Sequence, residues 1–180
     1  PINGHEFSNP FNDDLQYACI FPLAVPRDCS ASGVVSCDCY DPNNDNELDL
    51  VLCVNGIPVV TCELKNAMTS QKASHARKQY RTDRDPKAPI FQFKKRALVH
   101  FAVDTDEVWM TTRLRGLKTY FLPFNRGHND GAGNPPNPQG LKTDYLWKEV
   151  LTPAGLTDIL ENYAQIVEDG NAAVAEPVGA

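Results

Sequence analysis

The sequence has no hydrophobic run approaching the ~20 residues that span a membrane. Its first six residues, Pro1 to Glu6, are polar and lack the apolar stretch of a secretion signal. No membrane association is expected. An initiator Met is also missing, so the chain reads as a piece cut from something larger. No G-x-x-x-x-G-K-[ST] pattern occurs, which excludes a P-loop ATP site of that type within these residues. Positive charge is short as well. Seventeen Lys and Arg face 23 Asp and Glu, a net charge of −6. Stand-alone DNA-binding modules are usually basic because phosphate contacts dominate their affinity. The acidic balance argues against autonomous nucleic-acid binding. It leaves room for a metal-dependent hydrolase, whose carboxylates belong to the site.

Cysteine is present but poorly spaced for metal. Of Cys19, Cys29, Cys37, Cys39, Cys53 and Cys62, only Cys37 and Cys39 form a C-x-C, and no second pair follows at zinc-finger spacing. A zinc-bearing interaction module built on those two remains an alternative. Cys53 and Cys62 lie in apolar strand patterns and read as small buried hydrophobes. Reduced thiols and a cytoplasmic setting are the expectation.

What is there suits one domain. The 180 residues are 42% hydrophobic, enough for a sizeable core. Residues 1–32 read as irregular, with Asn12 a possible cap of a short helix through Tyr17; Gly33 to Tyr40 reads as a strand. Leu48 to Lys65 is the most ordered stretch, with two β-branched-rich runs flanking Asn55-Gly56, a hairpin signal. A helix is predicted from Thr69 to about Tyr80, capped by Thr69 or Ser70. A charged loop runs from Arg81 to Pro89. Ala97–Val103 and Glu107–Thr112 form a second hairpin, and Lys118–Leu122 a further short strand. Pro123 to Gly140, rich in Gly, Asn and Pro, is a long loop of functional or disordered type. Helices follow at Asp144–Leu151 and from Thr152, with Pro153 at the first position, to about Val167. Residues 169–180 read as the start of a linker.

The chemistry concentrates in Asp49, thirteen intervening residues, and Glu63-Leu64-Lys65. On a strand, residues i and i+2 share a face, so Glu63 and Lys65 project together. An Asp from the neighbouring strand completes an acidic pocket with one Lys. Two carboxylates suit Mg²⁺, a hard cation that takes oxygen ligands. Such a metal polarises a phosphodiester and activates water, and the ammonium stabilises charge on the phosphate. Register tests this arrangement. A regular two-residue turn would set Asp49 opposite Cys62, with Asp49 and Glu63 on opposite faces. A three-residue turn with Gly56 left-handed, or an equivalent bulge in one strand, is therefore predicted. The competing reading makes Asp49 a strand-edge residue and Glu63 with Lys65 a solvated pair; short motifs alone do not exclude it.

Longer blocks add a family. Asn46-Glu47-Leu48-Asp49-Leu50-Val51-Leu52-Cys53-Val54-Asn55-Gly56-Ile57-Pro58-Val59, followed by Glu63-Leu64-Lys65-Asn66, resembles the restriction (R) subunits of type I restriction-modification enzymes. Gln79-Tyr80-Arg81, Asp83-Arg84-Asp85-Pro86, Ala97 to Phe101, Thr111 to Leu114, Phe121 to Asn125, Gly131 to Pro135 and Tyr145 to Trp147 agree in order, so the likeness covers about residues 46–165. The resemblance implies an α/β fold of the PD-(D/E)xK nuclease class, a central mixed sheet flanked by helices. It implies an endonuclease domain over 1–168, with residues 1–45 diverging. Asp49 and Glu63 would bind Mg²⁺ and Lys65 would be catalytic. Gln79 matches the Gln of a Gln-x-x-x-Tyr element, whereas Asp83 stands where the family has Tyr, with Tyr80 a candidate local substitute. The implied partners are double-stranded DNA, an ATP-driven helicase-like motor of the same subunit, and methylation and specificity subunits. The implied reaction is non-specific cleavage after translocation. A stand-alone or recombination-type nuclease, and a non-catalytic docking domain, are the alternatives.

The remaining polar residues are weighed as follows. His100, in an apolar strand, reads as a hydrogen-bonded core histidine, while His5, His75 and His128 are scattered. Asp104, Asp106 and Glu107 read as turn chemistry. Lys94-Lys95-Arg96, with Arg77, Lys78, Arg81 and Arg84, forms either a solvated face or a phosphate contact. Asn125 and Arg126 either touch DNA or the motor, or belong to a packed loop.

Overall fold

The computed structural model describes residues 6–8, 16–20, 48–54, 57–66 and 70–164. Among the described residues seven strands form one sheet in chain order: β1 (Glu6–Ser8), β2 (Gln16–Ile20), β3 (Leu50–Val54), β4 (Ile57–Leu64), β5 (Val99–Val103), β6 (Val108–Thr111) and β7 (Leu122–Pro123). β4 and β5 are parallel and the other neighbours antiparallel, so the sheet is mixed. A parallel pair needs a crossover. Helix α1 (Ala73–Thr82) and a 3₁₀ turn at Pro89–Phe91 supply it.

Helices cover both faces. Ala73, Ala76 and Tyr80 of α1 are buried at helical spacing. Ala76 and Tyr80 pack with Val51, Cys53, Phe91 and Ala102 on one face. On the other face Leu52, Val60, Cys62, Phe101 and Val103 meet Tyr145, Leu146 and Leu156. Burying a side chain such as Phe91 stabilises the fold by about 1.5–3 kcal/mol. The central strands are buried on both sides, which is why their sequences are nearly continuous apolar runs.

Several local expectations shift. No helix reaches Tyr17: Gln16 to Ile20 is strand, because pairing with β3 outweighs any local cap. Glu6–Ser8, expected to be irregular, is also strand. The Gly33–Tyr40 strand and the Asn55-Gly56 turn lie outside the described residues, as do His5, Cys29, Cys37 and Cys39. α1 begins at Ala73, later than expected. Ser70 is left-handed at φ 57°, and Lys72 is the cap residue. The cap comes from afar. Asp104, after β5, accepts the Ala73 N–H through Oδ2 at 2.7 Å. Its Oδ1 accepts from Asp106 and Glu107 backbone N–H groups, each at 2.7 Å. One carboxylate thus closes the β5–β6 turn and starts the helix. The strand expected at Lys118–Leu122 is reduced to Leu122–Pro123.

The C-terminal part follows its signals more closely. Wide i→i+5 turns run over Leu146–Val150. Thr152 accepts the Gly155 N–H at 3.1 Å and caps α2 (Pro153–Asp158), with Pro153 at its first position. A second wide turn, Ile159–Tyr163, follows. The long loop is packed: the Asn134 side chain accepts from Arg126 N–H and donates to the Asp106 carbonyl and to Asn125 Oδ1, each at 2.9 Å. Asn125 Oδ1 also accepts the Val108 N–H. Arg126 stacks on Tyr145 and pairs with Glu149. Both residues serve the loop's own packing.

Inside the α1 face, Thr61 Oγ1 lies 2.8 Å from Tyr80 Oη and 2.8 Å from His100 Nδ1. All three residues are buried, and the chain of hydroxyl, hydroxyl and imidazole satisfies them without charge. Burial pushes the His100 imidazole down to about 3. With the folded value below the unfolded one, the neutral ring's stabilisation is complete above about 6.5 and is lost as pH falls through about 3. Unfolding free energy should therefore drop between those values, with a His100 contribution of up to about 1.4 kcal/mol per pH unit. Urea titrations of the parent and His100→Asn across that range check this, and an equal acid slope in both would contradict it.

Candidate functional site

The pairing of β3 with β4 decides the site. Val54 pairs with Ile57 and Cys53 with Pro58, as a two-residue connection requires. The register then shifts: Leu52 pairs with Val60, Val51 with Thr61 and Leu50 with Cys62. Val59 is the extra residue of a bulge. Carried one residue further, this register sets Asp49 opposite Glu63. Of the two expected devices, the strand bulge is present. The gain is visible in distances. Asp49 Oδ2 accepts the Leu64 N–H at 2.6 Å and lies 3.5 Å from Lys65 Nζ. Lys65 Nζ is 3.8 Å from Glu63 Oε2. One ammonium therefore stands between two carboxylates contributed by adjacent strands.

The three side chains differ in exposure. Glu63 is wholly buried, Lys65 is 12% exposed and Asp49 38%. The cluster opens to solvent on the Asp49 side. Thr61, Glu63 and Lys65 share the face that α1 covers, so Glu63 sits beside the Tyr80–Thr61 hydrogen bond. This is not the solvated pair of the competing reading.

Arg84, just beyond α1, is the partner that motif reading missed. Its Nε and Nη2 both donate to Glu63 Oε1, at 2.7 and 2.6 Å. Its own side chain is 5% exposed. The signal was available in Asp83-Arg84-Asp85-Pro86, but a charged tripeptide after a helix reads as surface. Glu63 Oε2, by contrast, is buried with no hydrogen-bond partner among the described residues. Burial pushes the Glu63 carboxyl up to about 8, Asp49 adds to the rise, and Arg84 and Lys65 oppose it.

Gln79 is half-buried on α1. Among the described residues its side chain makes no hydrogen bond to Asp49, Glu63 or Lys65. Asp83 is exposed and accepts from Thr82. Tyr80 is fully buried, and burial raises its hydroxyl well above the ordinary value. It reaches Thr61 rather than the carboxylates. Of the predicted residues, Asp49, Glu63 and Lys65 come together and Gln79 stays at the margin.

The donor set fits a hard divalent cation. It offers carboxylate oxygens, one of them buried and without a hydrogen bond, with a solvent opening on the Asp49 side. Among the described residues no group of three His, Cys, Asp or Glu assembles, so any cation would fill its shell with water or substrate.

An α/β domain with a carboxylate pair and a lysine at the ends of two central strands of a mixed sheet is the class this geometry defines. Residues 34–119 match the model of the family described as type I restriction enzyme R protein N terminus. The match starts inside the part expected to diverge and contains Asp49, Glu63, Lys65, Gln79 and Arg84. It ends before the blocks at Phe121–Asn125, Gly131–Pro135 and Tyr145–Trp147. No curated protein and no solved structure matches the chain.

Breaking one side of a buried ion pair leaves an uncompensated charge, at a cost of about 3–5 kcal/mol. Arg84→Met should destabilise the domain by that amount in urea unfolding, and adding Glu63→Gln should recover much of it. A loss under ~1 kcal/mol would mean that Arg84 does not hold Glu63.

Proposed function

We propose that this domain is the Mg²⁺-dependent endonuclease of a type I restriction enzyme R subunit, with the PD-(D/E)xK arrangement formed by Asp49, Glu63 and Lys65. It cleaves double-stranded DNA without sequence preference after ATP-driven translocation by a helicase-like motor of the same subunit. Methylation and specificity subunits choose the site. The family match over residues 34–119 supports the context. The observation that carries the chemistry is the bulge at Val59, which turns Asp49 and Glu63 toward one lysine.

Asp49 and Glu63 Oε2 would hold the metal. Bound there, Mg²⁺ polarises the scissile phosphate and lowers the pKa of a coordinated water. The Leu64 N–H fixes Asp49 Oδ2. Arg84 fixes Glu63 through Oε1 and leaves Oε2 for the ligand. Lys65 Nζ orients the attacking water and stabilises negative charge as it grows on the phosphate oxygens. Lys65 follows β4 directly, its backbone N–H donating to the Val103 carbonyl at 2.8 Å.

A non-catalytic docking domain is the second reading. The Arg84–Glu63 pair favours it, since a buried ion pair can serve the fold alone. It leaves the buried Oε2, which has no hydrogen bond, without a role. Calorimetric titration with Mn²⁺ separates the two. Binding to the parent that is lost in both Asp49→Ala and Glu63→Gln supports cutting, with DNA cleavage by the whole complex lost in the same variants. Binding unchanged by either substitution would sink the site, and no binding to the parent would favour docking.

A further inference from the structure

The net charge of −6 hides a sharp division. Residues 77–96 and 113–118 hold eleven of the chain's 17 Lys and Arg and only two of its 23 Asp and Glu, a local balance of +9 against −15 elsewhere. Arg84 points inward to Glu63. Most of the others gather at the C-terminal end of α1, where two loops meet it.

The contacts make one surface of these segments. Arg113 stacks over Phe93 at 4.8 Å, joining the loop that carries Lys95 and Arg96 to the one that follows β6. Arg81 stacks over Phe121 at 5.4 Å and donates from Nε to the Thr119 carbonyl at 3.0 Å, joining α1 to the same loop. That loop is rigid. Gly116 sits at φ +57°, a left-handed conformation in which an L side chain is strained. Thr119 Oγ1 accepts the Arg115 N–H and donates to the Gly116 carbonyl, both at 2.7 Å. Arg115 and Lys118 are thereby held at the two ends of one tight turn.

We infer that Arg81, Lys95, Arg96, Arg113, Arg115 and Lys118 form a docking surface for the phosphate backbone of duplex DNA. Lys95, Arg96, Arg113, Arg115 and Lys118 are exposed, and among the described residues none of the six pairs with a carboxylate. The contrast with the rest of the surface is direct, because Arg126, Lys142 and Lys148 all face Glu or Asp partners. Unneutralised cations crowded together repel one another, and a polyanion relieves that repulsion. Guanidinium groups held flat against rings lose less freedom on meeting phosphate than free side chains do. Aromatic groups at the same pole, Phe93 at 38% and Tyr120 at 72% exposure, suit contact with sugars and groove walls. The surface contains no sequence-reading element, in keeping with backbone contact alone. The inference rests on the nuclease reading only for the choice of DNA among polyanions.

The test is fluorescence anisotropy of a ~25-base-pair duplex with this 180-residue chain in EDTA, at several salt concentrations. Six phosphate contacts predict a slope of log K against log salt near about −5. Arg113→Ala/Arg115→Ala/Lys118→Ala should weaken binding at least about tenfold and bring that slope up by about 3. Circular dichroism confirms that the exposed triple variant stays folded, and Lys95→Ala/Arg96→Ala on the other loop should give a proportionate loss. Lys142→Ala, which removes a cation outside the surface that already pairs with Asp106, should bind duplex like the parent. A parent that binds no duplex, a triple variant that binds as well as the parent, or polyglutamate competing as well as unlabelled duplex would each overturn the surface. The Mn²⁺ titration decides the cutting reading separately, so either can fail alone.

Discussion

One residue too many in β4 governs the site. In a pleated sheet the side-chain period is two, so a register slip of one residue sends every later side chain to the opposite face. Without Val59 in excess, Asp49 would stand opposite Cys62 and face away from Glu63. With it, Leu50 pairs with Cys62, and the Asp49 carboxylate reaches the Leu64 N–H and the Lys65 ammonium. The bulge is placed where the strand is buried on both sides. Val60 and Cys62 then fill one core and Thr61 faces Tyr80 in the other. Packing on both faces therefore locks the register that the acidic pair needs.

Holding Glu63 there is costly. A carboxylate removed from water loses solvation that one neighbour rarely restores in full. Arg84 offsets part of the cost with two donors on a single oxygen, and Lys65 contributes at longer range. The second oxygen has no hydrogen bond, and Asp49 adds a nearby negative charge. The cluster leaves one buried carboxylate oxygen without a hydrogen bond, and on the proposed reading a divalent cation meets it. The fold supports this tension with a neutral, fully paired chain of Thr61, Tyr80 and His100 next door, and with Asp104 tying the start of α1 to the β5–β6 turn.

Much of this was legible. Alternation on either side of Asn55-Gly56 predicted both strands, and the demand that Asp49 and Glu63 share a face predicted an irregularity between them. The form it took, a bulge at Val59 rather than a three-residue turn, depends on packing that a local pattern does not encode. The start of α1 was misplaced for a similar reason: its cap is a residue 31 positions away in sequence. Arg84 was invisible as a site residue because burial of a charged side chain is set by tertiary structure, not by its neighbours in the chain. The same holds for the net charge, which suggested a surface indifferent to polyanions while the folding of two loops onto α1 gathers the cations at one pole. Gln79, to which a family pattern drew attention, makes no side-chain hydrogen bond to the cluster among the described residues.

The most direct test of the account is crystallographic. Crystals of the domain soaked in Mn²⁺ should show an anomalous peak within coordination distance, roughly 2.0–2.3 Å, of an Asp49 oxygen and of Glu63 Oε2, with Lys65 displaced from between them and Arg84 still on Oε1. A manganese ion bound elsewhere, or a Glu63 that keeps both oxygens turned to Arg84 and Lys65 at saturating metal, would contradict it.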